Sequence, residues 1–236
     1  METNKYNGEY IKKNRNSTGC FSMFVLFFAI TFTPLFFKNS PEIMSRGLLA
    51  PMLFILEFII LVPLYYLFFR KRDGLGIGTF NLKLFFILFF IIIFIQFMVP
   101  YLLGFRKAES WSTSQISYEH YIFWINVLPA IFIVPIYEEI VFRGCLFNSF
   151  KFWFNGNVYG SAVVTSFLFA VMHLQYSDIR TFVMLFLVSL TLIVARVKSN
   201  GILMPILLHM LMNWSAILSI YQSRSSIVHN MLRSGC

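Results

Sequence analysis

The segment 85–94 reads Phe85-Phe86-Ile87-Leu88-Phe89-Phe90-Ile91-Ile92-Ile93-Phe94 and has no polar face. A helix that is apolar all round must lie in lipid or in a large protein core. A chain of 236 residues cannot build several such cores, so lipid is the solvent. The composition agrees: 58% of residues are hydrophobic and 12% charged, against about 25% charged in soluble domains. The fold class that follows is all-α, a polytopic transmembrane helix bundle.

A span needs about 20 mostly apolar residues. Segments of that kind run over 20–37, 47–69, 82–105, 121–150, 158–175, 179–196 and 201–221, so about seven spans are expected. The first follows a polar, basic stretch and has the outline of a signal peptide. It is long, however, and no small-residue cleavage site precedes Lys38-Asn39-Ser40-Pro41, so it reads as an uncleaved span. The fourth holds Pro129 and Pro135, each of which removes a backbone hydrogen bond and predicts a kink. No internal repeat, no low-complexity tail, no separate soluble domain and no span beyond residue 221 is expected.

The net charge of +9 does not indicate nucleic acid. The basic residues sit at the ends of apolar segments, and no basic stripe interleaves with aromatics. Lys and Arg are enriched in cytoplasmic loops of membrane proteins. With the N-terminus inside, Lys5, Lys12, Lys13, Arg15, Arg70, Lys71, Arg72, Lys83, Lys151, Arg196 and Lys198 fall on the inner side. Lys38, Arg46, Arg106, Lys107, Arg180, Arg224 and Arg233 fall outside. The bias favours a cytoplasmic N-terminus. Cys20, Cys145 and Cys236 lie far apart without CxxC spacing, so they read as apolar fillers rather than as a zinc ribbon or disulfide framework.

Against this background, ionisable residues inside apolar segments need partners or a purpose, since each costs roughly 2.5–3.5 kcal/mol at a helix centre. Glu138 and Glu139 lie in Pro135-Ile136-Tyr137-Glu138-Glu139-Ile140-Val141-Phe142-Arg143-Gly144. Glu139 and Arg143 are four apart and can pair on one helix face. Glu138 is left without a local counter-charge, which suits a general base. Phe169 and His173 share a face with Ser166, and His209 shares one with Asn213. The plainer alternatives are wet helix ends and polar clamps between helices. Glu57 sits deep in the second span, protonated or paired with another span. Gln96 and Asn126 read as hydrogen-bonders between helices.

Together, three late helices supply carboxylates, imidazoles, an amide and a guanidinium. These are parts for activating water and stabilising an oxyanion, with no nucleophilic Ser or Cys in the set. The chemistry they suit is hydrolysis of an amide bond. The segment Glu138 to Gly144 matches an EExxxR motif, Phe169 to His173 an FxxxH motif, and His209 to Asn213 an HxxxN motif. In this order they resemble the CPBP family, the CAAX-protease and bacteriocin-processing membrane proteins, also called Abi.

The resemblance covers roughly residues 121–217; before that it extends only to being hydrophobic. The resemblance implies a catalytic helical core over 118–221, and the sequence around it reads as a cytoplasmic polar tail over 1–19, N-terminal transmembrane helices over 20–117 and a short polar tail over 222–236. It further implies an intramembrane glutamic endopeptidase acting on membrane-associated peptides or proteins. Glu138 would be the base, His173 would help activate water, and His209 and Asn213 would form the oxyanion hole. Glu139, Arg143 and Phe169 would support them. No cofactor is implied, with zinc on Glu138, Glu139, His173 and His209 as the alternative. A non-proteolytic immunity or scaffold protein is the other function to weigh. The glycines that relatives often carry before the third motif are missing here, where Ser189 is the only small residue within 186–192.

Overall fold

A computed structural model describes residues 2–72, 74–102, 104, 110–173, 176 and 178–233, and side chains from residue 10 to 226 within those ranges, that of Ser110 excepted. Arg106, Lys107 and Cys236, and the side chains of Lys5 and Arg233, lie outside the described residues. Among those residues the fold is helical throughout, without strands.

The first helix, α1 (Glu2–Thr31), is longer than a span but only partly apolar. It buries Cys20, Met23, Phe27 and Ile30, three to four residues apart, against the core. A 3-10 turn at Thr33–Phe36, with Pro34 near its start, ends it. The expected span 20–37 is therefore corrected. Its helix ends at Thr31, so the apolar stretch is too short to cross and one face is committed to protein. Hydropathy counts apolar residues but does not see where proline cuts the helix.

After a short α2 (Ser40–Ser45), α3 (Leu49–Phe68) and α4 (Leu82–Leu102) are both long and apolar enough to cross. The loop between them docks on the turn that follows α10 (Ile179–Ser199). Thr79 donates its N–H to the Ser199 carbonyl at 2.7 Å, and the Ile202 N–H reaches the Gly76 carbonyl at 3.0 Å. Gly78 is obligatory there. Its φ is +78°, and a Cβ would lie 2.5 Å from the Ser199 carbonyl oxygen.

An interrupted helical run of 34 residues follows α5 (Ser110–Ser117) and spans His120–Trp153. It comprises α6 (His120–Phe132), α7 (Val134–Glu139), a π-helical segment (Ile140–Leu146) and α8 (Phe147–Trp153). The break at Ile133 lies between Pro129 and Pro135. The π segment is closed by the Phe147 N–H bonding the Phe142 carbonyl, five residues back.

The run turns at residues 154–157 into α9 (Val158–Val171), where the Asn157 side chain caps Gly160 N–H at 3.0 Å. At about 1.5 Å per residue this helix of 14 residues is short of a hydrocarbon core about 30 Å thick. The expected fifth span, 158–175, is thus a half-span whose Ser161, Thr165, Ser166, Phe169 and Ala170 are buried in protein. The capping Asn157 and the end at Val171 cut the apolar pattern short.

Two long helices, α10 and α11 (Leu203–Arg233), complete the bundle. At the start of α10, Asp178 accepts from the Arg180 side chain at 2.8–3.1 Å, which holds that part-buried carboxyl below the usual range. Among the described residues, five helical stretches are long and apolar enough to cross, against the seven expected: α3, α4, His120–Trp153, α10 and Leu203–Ser226 of α11. The bundle itself is as expected, a multi-pass helical membrane protein.

Candidate active site

Depth is set by the hairpin of the interrupted run and α9. Fifteen residues separate Glu138 from Trp153, and fifteen separate Val158 from His173. Two arms of equal residue count return the chain to nearly one level. Glu138 lies past the middle of its span, so this return needs the run to extend as far as Trp153.

Glu139 is the hub of the buried charges. Its Oε1 accepts from Arg143 Nη1 at 2.9 Å and from His209 Nδ1 at 2.7 Å. Glu139 and Arg143 are wholly buried and His209 is 2% exposed. The Arg143 guanidinium carbon also lies 4.2 Å from the centre of the Phe169 ring, a cation–π contact that substitutes for water on one face. Phe169 continues to His173, with ring centres 4.5 Å apart, and meets His209 edge-on at 6.1 Å. Phe169 thus packs against the cation and both imidazoles.

Ring tautomers follow from the partners. A backbone carbonyl only accepts, and His173 Nδ1 lies 2.8 Å from the Phe169 carbonyl. His173 Nδ1 therefore carries hydrogen, and in the neutral ring Nε2 is left as a lone pair. Tyr176 stacks on the same ring, with planes 5° apart. By the same logic His209 Nδ1 donates to Glu139. Its Nε2 is 3.8 Å from Glu138 Oε2, beyond a direct hydrogen bond.

Glu138, His173, His209 and Asn213 all border one cavity of about 380 Å³. Its remaining wall is mostly apolar, from Phe54, Phe97, Met184, Val188, Ile217 and others. Glu139, Arg143 and Phe169 lie behind that wall rather than on it. Asn213 donates one amide hydrogen to the Ala130 carbonyl at 2.8 Å, beside the proline-broken part of the run. Its second amide hydrogen and its oxygen have other uses open to them. Among the described residues no three His, Cys, Asp or Glu side chains converge as a metal-ligand set.

Gln96 and Asn126 have the partners between helices that the sequence suggests. Gln96 joins α4 to α11 through Ser215 and the Met212 carbonyl, at 3.0 and 3.4 Å. Asn126 ties α6 to the Gly47 carbonyl at 2.7 Å. Cys20 and Cys145 are free and buried in the apolar core. Sequence reasoning missed Trp111 and Tyr176, which line the cavity and meet edge-on at 6.4 Å. Their aromatic character amid polar connecting sequence was the only available signal. It also missed the π segment, for which Gly144 inside an apolar helix is a faint sign: a Cβ there would lie 3.2 Å from the Leu75 side chain.

Fold and site together define a helical membrane protein with a hydrolase-like cluster of carboxylates, imidazoles and amide around a largely apolar cavity. Residues 120–215 match the family model described as Type II CAAX prenyl endopeptidase Rce1-like, which is a model of the CPBP, or Abi, family. An uncharacterized 24.3 kDa protein of Escherichia coli is 40% identical over 86 residues. That similarity spans 36% of this chain and 40% of the relative. No solved structure matches.

Proposed function

We propose that this chain is an intramembrane endopeptidase that hydrolyses peptide bonds of membrane-associated peptides or proteins with a glutamate-activated water. The observation that carries this reading is the convergence of Glu138, His173, His209 and Asn213 on one largely apolar cavity. A peptide segment enters from the lipid side with the cavity's apolar wall as its binding surface. Water lies between the Glu138 carboxylate and His173 Nε2, the one nitrogen of that ring left to accept.

Glu138 takes the water's proton as the oxygen attacks the peptide carbonyl. The oxyanion is met by the free amide hydrogen of Asn213 and by His209 Nε2–H. His209 already donates Nδ1–H to Glu139, so donation from Nε2 requires the imidazolium form. Glu139 and Glu138 supply counter-charges for it at 2.7 and 3.8 Å. The proton on Glu138 then passes to the leaving nitrogen, the C–N bond breaks, and both products are released. Glu139, Arg143 and Phe169 orient His209 and His173 without touching substrate.

The reading needs no metal, and activity persisting in a strong chelator is the expected result; loss restored by zinc overturns that part. It places the chain in a bacterial cell membrane with a cytoplasmic N-terminus. Its partners are membrane lipid and a peptide or membrane-protein substrate, not nucleic acid. The test compares the membrane proteomes of cells carrying the wild type and Glu138→Gln. Uncleaved substrates should accumulate with the variant. Identical proteomes and a fully retained phenotype would sink proteolysis and point to an immunity or scaffold protein that acts by binding.

A further inference from the structure

Hydrogen bonds between segments sort the helix ends into two groups. At one end, the α3–α4 loop docks on the turn after α10 through Thr79 and Gly76. Arg72 donates to the Asn16 carbonyl of α1 at 2.9 Å, and Ser149 of α8 donates to the Ser17 carbonyl at 2.8 Å. Arg70, Lys71, Arg72, Lys151, Arg196 and Lys198 lie in or beside these segments. At the other end, Asn126 of α6 reaches the Gly47 carbonyl just before α3 at 2.7 Å. Arg180, at the start of α10, reaches the Gly104 carbonyl just after α4 at 3.1 Å. The Thr31 hydroxyl, at the end of α1, meets the Glu57 carboxyl of α3 at 2.7 Å, so α1 runs from the basic end into the bundle beside α3.

The cavity belongs to the second end. On α4 its lining is confined to Gln96, Phe97 and Pro100, near the helix end at Leu102. On α10 it stops at Val188, midway to Ser199, and α3 contributes Phe54 near its start. On α11 it runs from His209 to Ile220. Among the described residues, no lining comes from the α3–α4 loop, from α8 or from the turn after α10. Exposure grades in the same direction. Val188 and His209 are buried, Pro100, Trp111, Ser112 and Tyr176 are half-buried, and Phe97 is 43% exposed. On the basic side of the site, Leu75, Cys145, Leu146 and Ile202 form part of a buried apolar cluster. Trp111 and Tyr176 therefore stand at the mouth, and such side chains favour the headgroup level of a bilayer.

We propose that the cavity opens on the non-cytoplasmic side of the membrane, and that its substrates are membrane-anchored or exported polypeptides whose scissile segment lies at that face. Lys and Arg collect on the cytoplasmic side, and the mouth lies at the end opposite Arg70-Lys71-Arg72. The proposal rests on the endopeptidase reading and its cytoplasmic N-terminus, and it narrows the substrate class of that site. Phe97, exposed beside the mouth, marks where a segment passes in from lipid.

The test labels single cysteines in cells with a membrane-impermeant sulfonated maleimide. The background is the full chain with Cys236→Ser, in which the remaining Cys20 and Cys145 are buried. Lys38 and Lys71 are exposed at the two ends. Lys38→Cys and the rim variant Ser112→Cys should label in intact cells, and Lys71→Cys only after permeabilisation. Labelling of Lys71→Cys in intact cells, with Lys38→Cys silent, puts the mouth in the cytoplasm and overturns the proposal. So does Ser112→Cys resisting the reagent before and after permeabilisation, because water then does not enter at this end. The substrate class is read from the proteomes: polypeptides left uncleaved with Glu138→Gln should carry their cleavage sites on the non-cytoplasmic side. Cytoplasmic cleavage sites overturn this inference and leave the endopeptidase reading standing. If no polypeptide accumulates, the endopeptidase reading falls with its substrates, while the labelling still fixes where the cavity opens.

Discussion

Helix α4 and the interrupted run His120–Trp153 both qualify as membrane spans, yet they meet different surroundings. In α4 22% of the apolar window is buried inside the molecule, and in α3 17%; in His120–Trp153 the share is 67%. One face of α4, Phe85, Leu88, Ile92 and Ile95, packs inward. Phe86, Phe90 and Phe94, four apart, point outward. The run instead buries Val141, Phe142, Arg143, Cys145 and Leu146 almost without remainder. Similar apolar composition therefore serves two solvents, lipid for α4 and protein for the run. Charges are tolerated where protein rather than lipid surrounds them, because only protein supplies fixed partners.

The largest effect expected from this contrast is at Arg143. Arg143→Leu leaves Glu139 buried with a charge that only His209 can offset. Breaking a buried pair from one side costs about 3–5 kcal/mol. Denaturation in detergent micelles should show that loss, or the variant should fail to accumulate in membranes. A variant of wild-type stability would mean that the run is wetter than its burial indicates.

Glu138→Gln separates chemistry from packing. Among the described residues Glu138 has no hydrogen-bonded cation; its contact with His209 is 3.8 Å. Substitution by the amide should leave stability within about 0.5 kcal/mol while cleavage falls by about 100-fold or more. Thermal unfolding and substrate accumulation in membranes are the paired measurements. A large loss of stability would make Glu138 part of the frame rather than a free base.

At Asn126 the effect should be intermediate. Its amide donates to Gly47 O at 2.7 Å and to Ile122 O at 2.9 Å. Hydrogen bonds between membrane helices are worth about 0.6 kcal/mol on average and up to about 1.7 kcal/mol. Asn126→Leu should cost an amount in that range in detergent unfolding. A cost near that of Arg143→Leu would show that the turn at Gly47 organises the whole run.

Much of the candidate site's arrangement was legible because a helix repeats. Spacing of four placed Glu139 with Arg143, Phe169 with His173 and His209 with Asn213 on common faces, and the structure brings these pairs around one cavity and the cluster behind it. The link from His209 to Glu139 joins residues 70 apart in the chain, and no local spacing encodes it. Span counting failed at 20–37 and 158–175 for a different reason. Apolar composition reports what solvent a segment avoids, but not whether protein or lipid replaces water. The end of α1 at Thr31 is followed at once by the Pro34 turn, and the start of α9 is fixed by the capping Asn157. The π turn was illegible because a widened hydrogen-bond ladder depends on which side chains must be accommodated, not on local propensity.

The smallest expected effect tests the lipid side of the comparison. Phe90 is 65% exposed on the outward face of α4. If lipid covers that face, Phe90→Ala exchanges a ring among acyl chains for a methyl group among acyl chains. No protein cavity forms, so the cavity term that makes Phe→Ala cost about 3–5 kcal/mol in a core is absent. Unfolding in detergent should then change by less than about 0.5 kcal/mol. Phe142→Ala, at a position with no exposure, should show the full core penalty in the same assay. A cost above about 2 kcal/mol at Phe90 would mean that protein rather than lipid covers this face. A second copy of the chain would then be the first candidate to test by crosslinking, because the ring's environment must be dense enough to leave a hole when it is removed.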